Sequence, residues 1–246
     1  MKRLWLQIAF YLSFALFGCV AFGLNISCGL IASLPGKKHL DKPTRKLIEQ
    51  LFRFWAFWLK TTGLLRLQVS EKVLHLRDLN EVIFISNHPN LMDVCFLLPF
   101  LPTPVCIYKG KLRRNRFLNG SAALAGYISN DKGVGTVFQA VDVLREGHSL
   151  LLFPEGTRTV TEPINPFNSS FALISKRSGK KIIPLVIHTD AVILKKGHFF
   201  KREGLPISFF IDVLDPLETC ADENAADYSR RVRGLYCNAL TGGNTP

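Results

Sequence analysis

The N-terminal segment from Leu4 to Leu34 contains no charged side chain, and only small or weakly polar residues interrupt its apolar run. About 20 helical residues cross the hydrocarbon core of a bilayer, so this run is long enough for a membrane helix. It exceeds the roughly 7–15 apolar residues of a secretory signal, and no Ala-x-Ala-like cleavage site follows it. We therefore predict a membrane-attachment helix that the mature protein retains.

The orientation of this helix is open, because basic residues stand on both sides of it. Lys2 and Arg3 precede the run, and Lys37 and Lys38 follow it. An excess of positive charge on one side therefore does not identify a cytoplasmic end. A single span, a hairpin that returns to the same membrane face and a tilted embedded helix all fit this pattern.

A second helix is predicted from Asp41 to about Leu65, where Phe52, Trp55 and Trp58 recur every three residues among basic side chains. Mixed aromatic and basic residues are typical of a helix in the lipid headgroup region. The same pattern also fits an amphipathic helix that packs on a globular domain. Both interpretations place a helix here.

The composition combines a formal net charge of +12 with 48% hydrophobic residues. A basic chain favours an anionic partner, and the high apolar content makes a membrane lipid surface a better fit than nucleic acid. No nucleic-acid-binding motif occurs. The six cysteines are scattered, without CxxC pairs or a grouping with histidine, so the sequence predicts neither a disulfide framework nor a metal site.

After residue 65 the pattern changes to short β-branched runs that alternate with helical stretches. This alternation predicts an α/β fold, a mixed, largely parallel sheet flanked by helices. The predicted division is a membrane-attachment part, residues 1–65, and a catalytic domain, residues 66–240. The predicted strands are Leu67–Val69, Val82–Ser86, Val105–Tyr108, Tyr127–Ser129, Ser149–Phe153, Ile182–Ile187 and Ile207–Val213, and the predicted helices begin at Met92, Val134, Ser170 and Asp222.

Two polar segments follow predicted strands, where the chemistry of such sheets collects. In residues 87–93 (Asn-His-Pro-Asn-Leu-Met-Asp) a bend at Pro89 would let Asp93 meet His88 and set the imidazole tautomer, which leaves the other ring nitrogen as a general base for an alcohol. In residues 153–158 (Phe-Pro-Glu-Gly-Thr-Arg) a glycine permits close backbone approach, so the loop can present a carboxylate, a hydroxyl and a guanidinium to one polar ligand. A surface turn with a local Glu–Arg ion pair is the other interpretation of the second segment.

Together, roughly 60 residues apart, the two segments resemble the glycerolipid acyltransferase family, whose hallmarks are an HxxxxD motif and a later FPEGTR-type motif. The resemblance covers about residues 60–215, and residues 183–186 (Ile-Pro-Leu-Val) fit the family's later apolar-proline motif. It implies a membrane-bound O-acyltransferase that moves a fatty acyl group from acyl-CoA or an acyl carrier protein to a hydroxyl of a lysophospholipid such as lysophosphatidic acid. It implies no cofactor, because the thioester donor already carries an activated acyl group.

The same resemblance implies the role of each residue. His88 would be the general base, and Asp93 would orient it. Backbone N–H groups of the two loops would stabilise the oxyanion that develops on the thioester carbonyl. The residues implied to bind the polar head of the acceptor are Glu155, Gly156, Thr157 and Arg158.

Residues 126–132 (Gly-Tyr-Ile-Ser-Asn-Asp-Lys) depart from the family pattern, in which phosphatidate-forming relatives have an Ile-Asp-Arg-like sequence after a glycine. Lys132 would supply the positive charge without the bidentate fork of arginine. A specialised acceptor, an aminolipid or a secondary-metabolite lipid, therefore stands beside lysophosphatidic acid. A basic cluster just upstream is expected either to meet the donor or the membrane, or to be a solvated face. This cluster comprises Lys109, Lys111, Arg113 and Arg114.

Two other functions compete with acyl transfer. A lipid hydrolase or thioesterase would use His88 to activate water, but no Gly-x-Ser-x-Gly nucleophile elbow occurs. A non-catalytic lipid- or carrier-binding protein would have no physical need for both intact motifs. The expected location is a membrane, the bacterial inner membrane with the active site facing the cytoplasm, and the sequence predicts no oligomeric state.

Overall fold

The structure is a computed structural model that describes residues 2–115, 118–191, 205–219 and 223–242. Within these residues seven strands form one sheet in the order β1-β7-β6-β2-β5-β3-β4, and each neighbouring pair is parallel except β6 with β7. The α/β fold with a mixed, largely parallel sheet flanked by helices is thereby confirmed. The strands are β1 (Leu65–Val69), β2 (Ile83–Ser86), β3 (Val105–Tyr108), β4 (Ile128–Ser129), β5 (Leu150–Leu152), β6 (Ile182–Thr189) and β7 (Ile207–Val213).

Helices cover both faces of this sheet. The predicted starts at Val134 and Ser170 agree with the structure, the helix expected from Met92 begins one residue later, and Asp222 lies outside the described residues. Two short helices, α3 and α5, were not predicted. The helices are α1 (Lys2–Ala32), α2 (Asp41–Thr61), α3 (Glu71–Leu74), α4 (Asp93–Leu97), α5 (Asn119–Leu124), α6 (Val134–Arg145), α7 (Ser170–Ser178) and α8 (Ala225–Thr241).

The central strands β2 and β5 are buried at every position. Successive side chains of a strand point to opposite faces, and on β2 Phe84 joins the core beneath α2 and α4, while Ile83 and Ile85 join the core beneath α6, α7 and α8. Parallel strands covered on both faces are expected to be apolar throughout rather than alternating. This burial explains why the sequence around β2 and β5 lacks a polar face.

Helices α1 and α2 pack against each other along an aromatic seam. The rings of Phe17 and Trp55 lie 4.3 Å apart, and the indole Nε1 of Trp58 donates a hydrogen bond to Ser13 Oγ at 2.9 Å. Phe52 also contacts the core. The aromatic stripe of α2 therefore faces α1 and the domain, in agreement with the packing interpretation rather than with a headgroup location of those three rings.

The contacts of Trp55 continue into the α/β domain. Its ring stacks on Phe96 of α4 at 6.1 Å with an interplanar angle of 10°, and Phe96 meets Phe209 of β7 edge-on at 4.9 Å. Trp55 and Leu59 of α2 are both buried in the core cluster that includes these residues. The second helix thus shares one core with the sheet, while the expected division after residue 65 stays a prediction.

Helix α1 is also the one helix in the described part of the chain that is long and apolar enough to cross a membrane, with a mean hydropathy of 2.0 in its most apolar 18-residue window within Leu4–Ala32. Only 11% of its most apolar window is buried inside the protein. On α2, Leu47, Phe54 and Phe57 are likewise exposed. The two helices therefore expose a large apolar surface that water would not cover favourably.

The far end of α1 is joined to α5 by a close backbone contact. The side-chain oxygen of Asn25 accepts hydrogen bonds from the N–H groups of Gly120 at 2.7 Å and Ser121 at 3.2 Å. A Cβ atom on Gly120 would lie 2.2 Å from the carbonyl oxygen of Asn25 and 2.6 Å from the nitrogen of Gly29. Only glycine fits at position 120, because the neighbouring atoms belong to the backbone.

We expect Gly120→Ala to lower the free energy of unfolding by about 2 kcal/mol, because the added methyl group would push α1 away from α5. The change is measured as the thermal midpoint in detergent. The control is Gly23→Ala on α1, where an added Cβ meets nothing within 4 Å. That variant should unfold at or slightly above the wild-type temperature, since alanine favours a helix over glycine. Equal midpoints for the two variants would contradict the tight contact.

Candidate active site

The predicted site residues lie after parallel strands whose carboxyl ends meet at one edge of the sheet. His88 follows β2, Glu155 follows β5, Lys109 follows β3 and Lys132 follows β4. Strands β2 and β5 are neighbours, so the two sequence motifs come together at the centre of this edge. Lys109 and Lys132 follow the next two strands in the sheet order.

The first motif forms a histidine–carboxylate pair. His88 Nδ1 lies 2.8 Å from Asp93 Oδ2, and the N–H of Asn90 donates to the same oxygen at 2.9 Å. Asp93 is the first residue of α4 and its side chain is 0% exposed, whereas that of His88 is 18% exposed. The buried carboxylate thus holds an imidazole that reaches the surface.

The electrostatics of the pair follow from this burial. Loss of hydration raises the pKa of Asp93 above its ordinary value, and the hydrogen bond from His88 opposes that rise. The ring Nδ1–H is directed to the carboxylate, so Nε2 keeps a lone pair that can accept a proton. This is the arrangement required of a general base, the role that the sequence predicts for His88.

The second motif packs directly on this histidine. The ring of Phe153 stacks on that of His88 with centroids 4.4 Å apart. The backbone N–H of His88 donates to Glu155 Oε1 at 2.7 Å, and the N–H of Thr159 donates to the carbonyl of His88 at 2.7 Å. Both backbone polar groups of the histidine are therefore bonded to the loop that contains the second motif.

The last three residues of that motif lie closer to solvent. Gly156 is exposed and has a φ of +64°, a conformation that favours glycine, and its N–H donates to the carbonyl of Phe153 at 3.0 Å. Thr157 and Arg158 are half-buried. These positions allow Thr157 and Arg158 to meet a ligand, and their acceptor-binding role stays a prediction.

Glu155 differs from the three motif residues that follow it because it is buried. Its exposed fraction is 9%, and burial raises the pKa of its carboxyl group. The N–H groups of His88 and Asn165 and the hydroxyl of Thr159 all donate to its two oxygens. The structure therefore places Glu155 in contact with His88 while its oxygens are engaged within the protein.

Lys132 and the upstream basic cluster form one exposed surface. Arg113 pairs with Asp131 at 3.3 Å, and the side chain of Asn130 accepts a hydrogen bond from the N–H of Gly110 at 2.9 Å. These bonds bring the turn that ends at Lys132 against the cluster. Lys109, Lys111, Arg113 and Lys132 are exposed, whereas the side chain of Arg114 lies outside the described part of the chain.

Sequence reasoning missed two residues that contact this site, Thr159 and Asn165. Thr159 directly follows the second motif, and that position was the only signal available for it. Asn165 is ten residues beyond Glu155, and nothing in its neighbourhood marks it. Among the described residues, no three His, Cys, Asp or Glu side chains gather as metal ligands.

Comparisons with known proteins point to one family of enzymes. A family described as Acyltransferase matches residues 67–188, a range that contains both motifs. The 1-acyl-sn-glycerol-3-phosphate acyltransferase of Limnanthes alba is 27% identical over 67% of this chain and 60% of its own length, and that of Borreliella burgdorferi is 29% identical over 55% and 56%. The chain therefore spans less than two thirds of the length of these curated relatives.

A solved structure has the same fold. The crystal structure of the 1-acyl-sn-glycerophosphate acyltransferase PlsC from Thermotoga maritima superposes with a TM-score of 0.70. It is 19% identical in sequence, and the match covers 100% of this chain and 99% of that one. With both motifs inside the matched range, residues 67–188 of this protein form a domain of the acyltransferase family.

Proposed function

We propose that the protein is an O-acyltransferase that transfers a fatty acyl group from a thioester donor to the free hydroxyl of lysophosphatidic acid. The observation that carries this proposal is the His88–Asp93 pair, in which a buried carboxylate orients a partly exposed imidazole. The named relatives, which are 1-acyl-sn-glycerol-3-phosphate acyltransferases, support the choice of acceptor.

The reaction would use this pair as follows. His88 Nε2 takes the proton of the acceptor hydroxyl while the hydroxyl oxygen attacks the thioester carbonyl carbon. The tetrahedral intermediate then loses the thiolate, which takes the proton from His88, and an ester and a thiol are formed. Asp93 stabilises the imidazolium between the two steps, because its carboxylate accepts the Nδ1–H bond throughout. No cofactor enters this scheme.

The donor would be acyl-CoA or an acyl carrier protein, since both are anionic and the surface around Lys109, Lys111 and Lys132 is basic.

A second acceptor class is favoured by one observation, namely that Lys132 lies in the segment where the family pattern of phosphatidate-forming relatives has arginine. An aminolipid or a secondary-metabolite lipid would not require a bidentate phosphate contact at that point.

We further propose that helices α1 and α2 attach the enzyme to a single membrane leaflet. Helix α1 bonds to α2 through Ser13 and, at its other end, to α5 through Asn25. A helix that spans the bilayer would carry these neighbours into hydrocarbon, including the exposed charges Lys46 and Arg53 of α2. Shallow insertion avoids that cost, and the cytoplasmic face of a bacterial inner membrane would give access to the donor.

The direct test is a radiolabelled acyl-transfer assay on detergent-solubilised wild-type protein and its His88→Ala variant. Oleoyl-CoA and oleoyl-acyl carrier protein are offered as donors against lysophosphatidic acid and against a crude lipid extract. Labelled phosphatidic acid that depends on His88 supports the proposed acceptor. A labelled product from the extract alone would replace it with the second acceptor class, and no His88-dependent product at all would overturn acyl transfer.

Arg158→Lys tests acceptor binding. We expect the KM for lysophosphatidic acid to rise by about tenfold, because lysine lacks the bidentate fork of arginine, while the KM for the donor stays unchanged. Arg66→Lys, on the edge strand β1 at the far side of the sheet from Lys132, is the control and should match wild type. An unchanged acceptor KM in Arg158→Lys would remove this residue from the acceptor site.

A further inference from the structure

The loop after β5, from Glu155 to Asn165, folds back on the Glu155 carboxylate. Oε1 accepts the N–H of His88 at 2.7 Å, and Oε2 accepts the N–H of Asn165 at 3.1 Å. The hydroxyl of Thr159 lies 2.9 Å from both oxygens and donates between them. Three donors from three separate places in the chain therefore converge on one carboxylate.

Thr159 makes a second contact with the catalytic segment. Its backbone N–H donates to the carbonyl of His88 at 2.7 Å, while the backbone N–H of His88 is held by Glu155. A residue whose N–H and C=O are both bonded to one loop has little freedom to rotate about its backbone. The position of the His88 imidazole therefore depends on the loop as well as on Asp93.

Asn165 keeps this loop closed. Its side-chain oxygen accepts the N–H groups of Val160 and Thr161 at 3.1 and 3.0 Å, and its Nδ2 donates to the carbonyl of Arg158 at 3.2 Å. It is 5% exposed. These three bonds all join the Asn165 side chain to residues 158–161 of the same loop.

The closed loop is also anchored from outside. Arg233 of α8 donates through Nε to the carbonyl of Asn165 at 3.1 Å and through a terminal nitrogen to that of Ile164 at 2.9 Å. The loop is therefore fixed to α8, a long helix of the domain. An acceptor that bound the Glu155 carboxylate would have to displace bonds that hold this arrangement together.

We propose that Thr159 and Asn165 are positioning residues for the transfer reaction, and that Glu155 works with them as a clamp on the His88 backbone rather than as a ligand of the acceptor. The clamp holds Nε2 of His88 within hydrogen-bond reach of the place where the acceptor hydroxyl must lie. This inference rests on the proposed function for the reaction that it serves, and on the geometry alone for the clamp itself.

The first test distinguishes the contribution of the Thr159 hydroxyl from that of its backbone N–H. In Thr159→Val the backbone N–H bond to His88 is kept while the bond to Glu155 is lost, and kcat with lysophosphatidic acid and oleoyl-CoA should fall about 10- to 100-fold at an unchanged acceptor KM. Thr159→Ser restores the hydroxyl and should recover kcat to within about threefold of wild type. Thr161→Val is the matched control, since that side chain is exposed and only its backbone joins the loop, and it should match wild type.

Asn165→Ala opens the loop and should lower kcat by a similar factor. Its control is Asn224→Ala, which removes the cap of α8, where Asn224 accepts the N–H of Ala226 at 2.8 Å. That variant should lose stability without losing kcat once folded. If Asn165→Ala fails to fold, the Thr159→Val and Thr159→Ser pair carries the test.

A readout independent of turnover distinguishes the clamp from the reaction. Diethyl pyrocarbonate modifies accessible histidines, and mass spectrometry measures its rate at His88 in each variant. Faster modification in Thr159→Val and Asn165→Ala, with wild-type rates at His75, supports the clamp even if lysophosphatidic acid is not the acceptor. Wild-type kcat and a wild-type labelling rate in Thr159→Val would overturn it, and a raised acceptor KM with unchanged kcat would return Glu155 to the acceptor site.

Discussion

His88→Ala should lower kcat at least about 10³-fold, because it removes the group that we propose takes the proton of the acceptor hydroxyl. The backbone of His88 keeps its bonds to Glu155 and Thr159, so the loop should stay folded. The thermal midpoint is therefore expected to lie near that of wild type. Initial rates with saturating donor and acceptor, together with a melting curve in the same detergent, measure both quantities.

The control is His75→Ala, which removes an exposed histidine outside both motifs. It should leave kcat and the melting curve unchanged. Turnover by His88→Ala near the wild-type rate would mean that the proton leaves by another route, and the mechanism built on the histidine–carboxylate pair would be wrong. A fall in rate accompanied by unfolding would point instead to a structural contribution of the imidazole.

Asp93→Asn should lower kcat by about 10³- to 10⁴-fold with a comparatively small effect on the acceptor KM. Asp93 Oδ2 accepts from both His88 Nδ1 and the N–H of Asn90. An amide of the same shape brings an NH₂ group into this site, so it competes as a donor and favours the wrong tautomer of the imidazole. The buried charge is lost at the same time, which limits the cost to stability.

Asp142→Asn on α6 is the control for this substitution, because that carboxylate is largely exposed and pairs with Arg145 at 3.8 Å. It should show wild-type kinetics. Equal kcat in Asp93→Asn and wild type would leave His88 without its orienting partner.

Much of the fold is predictable because burial follows simple patterns here. Strands β2 and β5 are covered on both faces, so their sequences are continuously apolar and easy to find. Helix α6 begins at Val134 directly after Gly133, a residue with positive φ that ends the preceding turn. The short helices α3 and α5 span only four and six residues, too few for a periodic pattern to appear.

The site likewise has contacts that the sequence predicts and contacts that it does not. The contact of His88 with Asp93 is local, so spacing and the bend at Pro89 allow it, and the resemblance of the two motifs together to the acyltransferase family predicts it. The bonds of Glu155 to His88 and Asn165 involve backbone N–H groups, which every residue except proline carries. Such bonds leave no mark on residue type, which is why the internal engagement of Glu155 appears only in three dimensions.

The two interpretations of α2 were separable only by packing. A stripe of aromatic residues at three-residue spacing looks the same whether it faces lipid or protein. In the structure Trp55 is buried while Phe54 and Phe57, which lie on another face of the same helix, are exposed. The neighbouring helix α1, far away from these residues in sequence, decides which face is covered.

The aromatic path from Phe17 through Trp55 to Phe96 has a consequence for making this enzyme in quantity. Phe96 lies on α4, three residues after Asp93, and the indole of Trp55 stacks on its outer face. Deleting the first 65 residues to obtain a water-soluble reagent would remove Trp55 and expose the core beneath the Asp93 carboxylate. Protein engineers should instead keep both helices and replace their outward apolar side chains, such as Phe54 and Phe57, with polar ones.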